Sequence, residues 1–212
     1  MKERGMIFNS EMVRALLDGT KTQTRRIMKV QPDSPDFGLL RIVESTARSN
    51  VGKYHWSESN ACGNHIRSKL FTCPFGAIGD RLWVREAWAE AGGNAPELQL
   101  YRANYPDHVS SHYEHLKPAE EIRWRPNIHM PRWASRITLE ITDVRVERLR
   151  HISDADAKAE GYPAERGKAG SKDDAWLWYC DLWKSLYGQD SWLESPWVWV
   201  IEFKLVNEEQ PS

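Results

Sequence analysis

From Arg136 to Leu149 apolar and polar positions alternate: Ile137, Leu139 and Ile141 share one face, and Val144 and Val146 then take the opposite phase. Alternation with period two marks a half-buried strand, and a one-residue change of phase predicts a bulge or sharp bend within it. A second long strand is expected over Trp197 to Leu205. There Trp197, Trp199, Ile201, Phe203 and Leu205 face one way and Val198, Val200, Glu202 and Lys204 the other. Shorter strands are expected at Met6–Phe8, Thr22–Val30 and Arg81–Trp88. Helical spacing is sparser. Ser10 reads as the N-cap of a helix from Glu11 to Asp18 with Met12, Val13, Ala15 and Leu16 on its apolar face, and Gly19 as the residue that stops it. Ser153 reads as the cap of a short helix through Glu160, ended by Gly161. Lys172 to Leu186 predicts a longer helix, with Trp176, Tyr179, Cys180, Trp183 and Tyr187 at spacings of three and four.

Residues 31–70 and 92–132 lack such periodicity and are read as two irregular insertions, with one strand expected near Leu39–Val43. Short strands with few, separated helices predict a single α+β domain, a β-barrel turned at its corners by bends, instead of a doubly wound sheet. Trp176, Trp183, Trp197 and Trp199 fit core packing between the late helix and the last strand, not a ligand cage.

Composition narrows the functional classes. The 212 residues carry a formal net charge of -1, so contact with nucleic acid would rest on a local basic patch. No apolar run reaches membrane-spanning length, and the N-terminus lacks a signal-peptide core; together with the uneven set Cys62, Cys73 and Cys180, this leads us to expect a cytoplasmic protein without membrane contact. Lys21, Arg25, Arg26 and Lys29 form one basic cluster. Arg123, Arg125, Arg132 and Arg136 form another, interleaved with Trp124 and Trp133. Cations for phosphates and aromatic faces for bases are what single-strand recognition needs, although the same tryptophans could be core and the same arginines paired with acids such as Glu120 and Glu121. On the strand after Gly79-Asp80, Arg85 and Glu86 could line a groove, holding a phosphate and a base amine, or form a cross-strand ion pair; Asp80 reads as a turn cap. His55, Cys62, His65 and Cys73 could make a mixed zinc set, but their spacing lacks the paired knuckles of structural zinc sites, so neither a metal nor a cofactor is expected. His108, His112 and His115 read as exposed loop histidines.

Four segments in order resemble the ASCH family of the PUA-like superfold. They are Gly19-Thr20-Lys21-Thr22-Gln23-Thr24-Arg25-Arg26, Gly79-Asp80-Arg81-Leu82-Trp83-Val84, Ile141 to Val144 followed by Ile152 to Gly161, and the closing Val200-Ile201-Glu202-Phe203. The segment from Trp124 to Arg136 is similar to a phage- and prophage-borne ASCH subgroup. The resemblance implies a PUA-like pseudobarrel with flanking short helices, and a nucleoside or single-stranded RNA as partner. Some small bacterial ASCH proteins deacetylate N4-acetylcytidine with a Lys, a Thr and a Glu, which match Lys21, Thr24 and Glu160 here. On that reading Lys21 is the base, Thr24 or a water the nucleophile, and Glu160 the orienting or proton-shuttling group. Thr22, Arg25, Arg26, Arg85, Glu86, Trp124, Arg125, His129, Arg132 and Trp133 contact the substrate. The chemistry requires Lys21 to sit in the turn after Gly19 and Thr24 to open the strand, because residues three apart in a strand point to opposite faces. The alternatives are a non-catalytic reader of RNA or modified nucleic acid, and a ribonuclease (with His129 or Lys21 as base) or phage accessory protein.

Overall fold

The computed structural model describes residues 1–59, 65–92, 95, 97–111, 113, 117–163, 166 and 174–206, with the backbone alone for Ser59, His65 and Ile66. The chain is α+β. Its main sheet has five strands in the order β1 (Glu3–Ile7), β6 (Arg81–Arg85), β9 (Thr138–Arg148), β10 (Trp197–Leu205) and β2 (Gln23–Ile27). β1 runs parallel to β6, and the other neighbours are antiparallel. β1 and β2 are the two edges, so among the described residues this sheet does not close into a barrel by backbone pairing. The seam between the edges is spanned by a side chain instead, Arg26 Nη2 donating to Ile7 O at 2.8 Å.

The change of phase in β9 is a bulge. Asp143 pairs with Glu202 and Ile141 with Phe203, which leaves Thr142 as the extra residue. β10 divides two cores as its alternation predicts. Trp199, Ile201 and Phe203 join Met6, Phe8, Leu82 and Ile141, whereas Val198 and Val200 join Leu149, Tyr179 and Trp183. Both faces of this strand are therefore covered, and Val198, Val200 and Ile201 are fully buried.

α1 (Ser10–Leu17) starts one residue earlier than expected. Asn9, not Ser10, is the cap, its Oδ1 accepting from Met12 N at 2.8 Å. α2 (Asp154–Ala159) is capped by Ser153 as read, the hydroxyl accepting from Asp156 N at 3.1 Å. The late helix, α3 (Asp174–Glu194), runs further than expected and is interrupted at Gly188, whose φ of 87° is not helical.

The 31–70 stretch is not irregular throughout. β3 (Gly38–Arg41), β4 (Tyr54–Ser59) and β5 (His65–Arg67) form their own three-stranded sheet. Periodicity failed to show it because β4 has no inside–outside alternation: Tyr54, His55, Trp56 and Ser57 are all buried, Trp56 lying against Trp197 with centroids 5.1 Å apart, while Arg41 and Leu40 of β3 stay exposed. Within 92–132, β8 (Gln99–Tyr101) pairs with β7 (Trp88–Glu90), and single 3-10 turns follow at Asn127–His129 and Arg132–Ala134.

Gly161 does for packing what no other residue could. At a φ of +102°, any side chain would be strained, and an added Cβ would lie 2.9 Å from Ala15 Cβ and 3.3 Å from Lys21 Cβ. Gly161→Ala is expected to destabilise the fold by about 1–3 kcal/mol through strain at positive φ, read as a lowered urea midpoint with unchanged m-value.

Candidate functional site

Three chain segments meet at the seam. After Gly19 (φ 73°), the chain turns so that Lys21 N donates to Ala15 O at 2.9 Å, and Thr22 N donates to Ala159 O at 2.9 Å. Lys21 and Glu160 form an isolated antiparallel bridge there. Lys21 thus sits in the turn, outside β2, and Thr24 is the second residue of the strand, opposite Ile201, one place in from the strand opening expected of it.

The side chains complete the junction. Lys21 Nζ donates to Glu160 Oε2 at 2.8 Å and to Glu160 O at 2.7 Å. Arg25 Nη1 donates to Glu160 Oε1 at 3.2 Å, so both carboxylate oxygens are engaged. The side chains of Lys21 and Arg25 are 0% exposed and that of Glu160 is 3% exposed, so these charges are screened by one another and not by water. Two buried cations share one buried anion, and the surplus is met at the rim. Arg25 Nη2 reaches Glu147 at 3.0 Å and Asp156 at 3.5 Å. Arg145 ties those two carboxylates to Glu202 and Gln23.

Burial pushes the Lys21 ammonium below its ordinary pKa, outweighing the pull of Glu160 in the other direction. Burial pushes the Tyr179 phenol well up, with the neighbouring Glu160 charge adding to it. Thr24 is 1% exposed, and its Oγ1 is buried without a hydrogen-bond partner. It borders a cavity of about 10 Å³, bounded by Arg26, Glu160 and Met12 and roofed by Tyr179, Trp183 and Tyr187 of α3. That is room for about one water, whereas sites for small organic ligands span ~300–1,000 Å³. Access for anything larger requires α3 to move off the seam.

The other expected contacts divide into three groups. Arg26 stays at the cavity rim, half-buried, with its guanidinium 5.4 Å from the Phe8 ring centre. Arg25 also borders the cavity, with its side chain 0% exposed and engaged in the charge cluster; Thr22 is exposed and does not border the cavity. Glu86, expected to line a groove, is 1% exposed, and both its oxygens are taken by Arg136 at 2.9 and 3.0 Å. The ion pair expected across the strands is the one Glu86 makes with Arg136, just before β9; Arg85 donates to Ile128 O.

The remaining residues form a separate surface. Arg125 makes a bidentate pair with Glu90 and lies 4.9 Å from the Trp88 ring centre. Arg132 pairs with Glu3 at 3.0 Å, and Trp124 Nε1 donates to Ala119 O at 3.0 Å. His129 is exposed, and Trp133 is 65% exposed with its edge against Trp88. This surface meets the seam through Phe8, whose main-chain oxygen accepts from Asn127. None of these residues borders the small cavity.

Asp80 caps its turn as read, accepting from Lys2 N at 2.8 Å and Ala77 N at 3.2 Å. His108 is half-buried instead of exposed, accepting at Nε2 from Tyr101 N at 3.1 Å, which fixes its loop; His112 and His115 lie outside the described residues. The zinc set rests on Cys62 and the side chain of His65, which also lie outside them.

Sequence reasoning missed Glu147, Asp156 and Tyr179 as partners of the site. Asp156 stands four residues before Glu160, a helical spacing that could have revealed it; Glu147 and Tyr179 arrive from distant segments without a local signal. No protein-family model, curated protein or solved structure matches this chain.

The charge cluster gives an ordered pair of effects. Glu160→Gln leaves two buried cations without their shared anion and is expected to cost about 3–5 kcal/mol. Lys21→Met leaves Glu160 still bonded to Arg25 and should cost clearly less. Equal losses in urea denaturation at neutral pH would show that the two cations do not share the carboxylate in this way.

Proposed function

We propose that this chain is an ASCH-type protein with a PUA-like pseudobarrel whose seam handles a nucleoside, acting as an amidohydrolase on N4-acylated cytidine. The observation that carries the reading is the pairing of Lys21 with Glu160, from segments 139 residues apart, beside a cavity that Glu160 and Thr24 line and where the Thr24 hydroxyl has no partner. A buried hydroxyl left without a partner costs about 1–3 kcal/mol and adds nothing to the fold, which suits a nucleophile and not a structural group.

The lowered Lys21 pKa raises the fraction of free amine at neutral pH, the form that accepts a proton. Lys21 Nζ takes the proton of Thr24 Oγ1, or of a water beside it, as the oxygen attacks the acyl carbon. Glu160, held by Arg25 through its other oxygen, orients the ammonium so formed and passes a proton to the N4 leaving group as the C–N bond breaks. The proton that Glu160 delivers is the one Lys21 took, so the cytosine amine leaves neutral; where Thr24 is the nucleophile the acyl group passes to its oxygen, and a water deprotonated by Lys21 then cleaves that ester, ending as the hydroxyl of the released acid and restoring Thr24. The roof of Tyr179, Trp183 and Tyr187 excludes bulk water during these transfers once substrate has entered.

A second reading, binding of single-stranded RNA, is favoured by one observation: Trp133 is 65% exposed beside Arg125 and Arg132. A large exposed indole flanked by cations offers a stacking face for a base.

Thr24→Val separates chemistry from folding. Removing an unpaired hydroxyl is expected to leave stability unchanged or raise it by about 1 kcal/mol, while release of cytidine from N4-acetylcytidine, followed by chromatography, falls to background. Wild-type turnover in this folded variant would refute the role of Thr24.

The rate should rise with pH through the folded pKa of Lys21, below the ordinary lysine value of 10.5, because only the deprotonated amine acts as base. Lys21→Ala is expected to lose about 10²–10⁴-fold in rate, and with it this alkaline rise. A profile that falls over the same range in the wild type would overturn the assignment.

If the second reading holds, Trp133→Ala weakens RNA retention in a gel shift. Retention in the wild type then drops on raising salt, as phosphate contacts require.

A further inference from the structure

A second cavity, of about 310 Å³, shares no lining residue with the Lys21 site. It opens where the first insertion meets the main sheet. Lys2 and Arg4 come from the β1 end, Arg41 and Lys53 from the hairpin of β3 and β4, and the wall between them is Tyr54 and the turn ending at Asp80. Four cationic side chains thus face one carboxylate.

That carboxylate is already spent. Asp80 accepts from Lys2 N at 2.8 Å, from Ala77 N at 3.2 Å and from Arg4 Nη1 at 3.2 Å. Among the described residues, Lys2, Arg41 and Lys53 pair with no carboxylate. Lys53 Nζ donates only to the neutral Asn50 Oδ1, and Arg41 lies 5.8 Å from the Tyr54 ring centre. The wall is also shaped to bring Arg4 in. Gly76, at a φ of +134°, has no side chain where a Cβ would stand 3.2 Å from Arg4 Nη1. Unpaired cations normally spread apart over a surface, where water screens them. Here they converge from two sheets on one concave space, a layout that repels itself unless an anion occupies it.

We propose that this cavity binds the phosphate group of a small phosphorylated molecule, with Arg41 and Lys53 closing on it from the hairpin and Lys2 and Arg4 from the sheet. The volume stands at the lower end of the ~300–1,000 Å³ typical of small-molecule sites, enough for a phosphate and its carrier but not for a continuous strand. The assignment is independent of the chemistry proposed at Lys21.

Calorimetric titration of the full chain tests it, with cytidine 5′-monophosphate, cytidine, inorganic phosphate and a short RNA lacking terminal phosphates as probes. The monophosphate should bind, inorganic phosphate should compete with it, and cytidine should bind at least about tenfold more weakly, since charge-assisted bonds to the phosphate are lost. Arg41→Ala combined with Lys53→Ala, both away from the core, should weaken the monophosphate by about tenfold or more, whereas Thr24→Val should bind it as the wild type does. Equal binding of cytidine and its monophosphate, or an unchanged double variant, overturns the proposal, as does the absence of binding by either phosphate probe. Competition by the RNA as effective as that by the monophosphate overturns the small-molecule assignment in favour of a strand backbone. Loss of binding in Thr24→Val would place the phosphate at the Lys21 seam instead.

Discussion

The fold turns on a carboxylate shared between two buried cations. Glu160 answers Lys21 with one oxygen and Arg25 with the other, and its side chain is only 3% exposed. Taking three charges out of water costs several kcal/mol for each ion, and their mutual attraction repays this only when the geometry is good. That demand fixes how the pieces fit. β2 must lie close to the end of α2, Gly161 must have no side chain, and α3 must seal the layer from above. Arg25 needs Glu147 and Asp156 as further partners, and Arg145 must hold both in place. One buried ion pair thereby recruits strands, helices and rim into a single arrangement.

The same junction explains why reactive groups would be found here. The main sheet ends in two edges, β1 and β2, and among the described residues the Arg26 side chain links them by a hydrogen bond to Ile7 O. A seam of this kind leaves polar side chains without the backbone partners that a closed barrel would supply. Thr24 illustrates the result: its neighbours are committed to one another, and its hydroxyl has nothing to bond. The roof of α3 leaves space beside Thr24 for about one water. The break in α3 at Gly188 divides that roof-bearing helix near its end, where a change of helix direction costs least.

The insertion tells a different physical story. Its small sheet is anchored by Tyr54 and Trp56, whose rings stack against Trp197, Trp199 and Phe71, so it shares the main core instead of standing apart from it. Its cations are set against those of β1 across open space. The aromatic anchors supply the stability that makes such a repulsive layout affordable.

Much of the frame was legible in the residues. The phase change after Ile141 foretold the bulge at Thr142, the two-faced pattern of β10 foretold its place between two cores, and Gly19 and Gly161 marked turns that the backbone makes at positive φ. These are local facts: strand period, cap and turn are written in neighbouring residues, and burial follows from period. The small sheet of the insertion escaped because its strands are short and β4 is buried on both faces, so no alternation marks it. The sites depended on what period cannot encode. That Arg25 would be sealed away while Arg26 stays at the rim is set by strand alternation together with the position of α2. That Glu86 would answer to Arg136 and Glu160 to two cations is set by segments 50 to 139 residues apart. Ionic partners carry no sequence period, and any carboxylate suits any cation until the tertiary structure brings one pair together and excludes water from it.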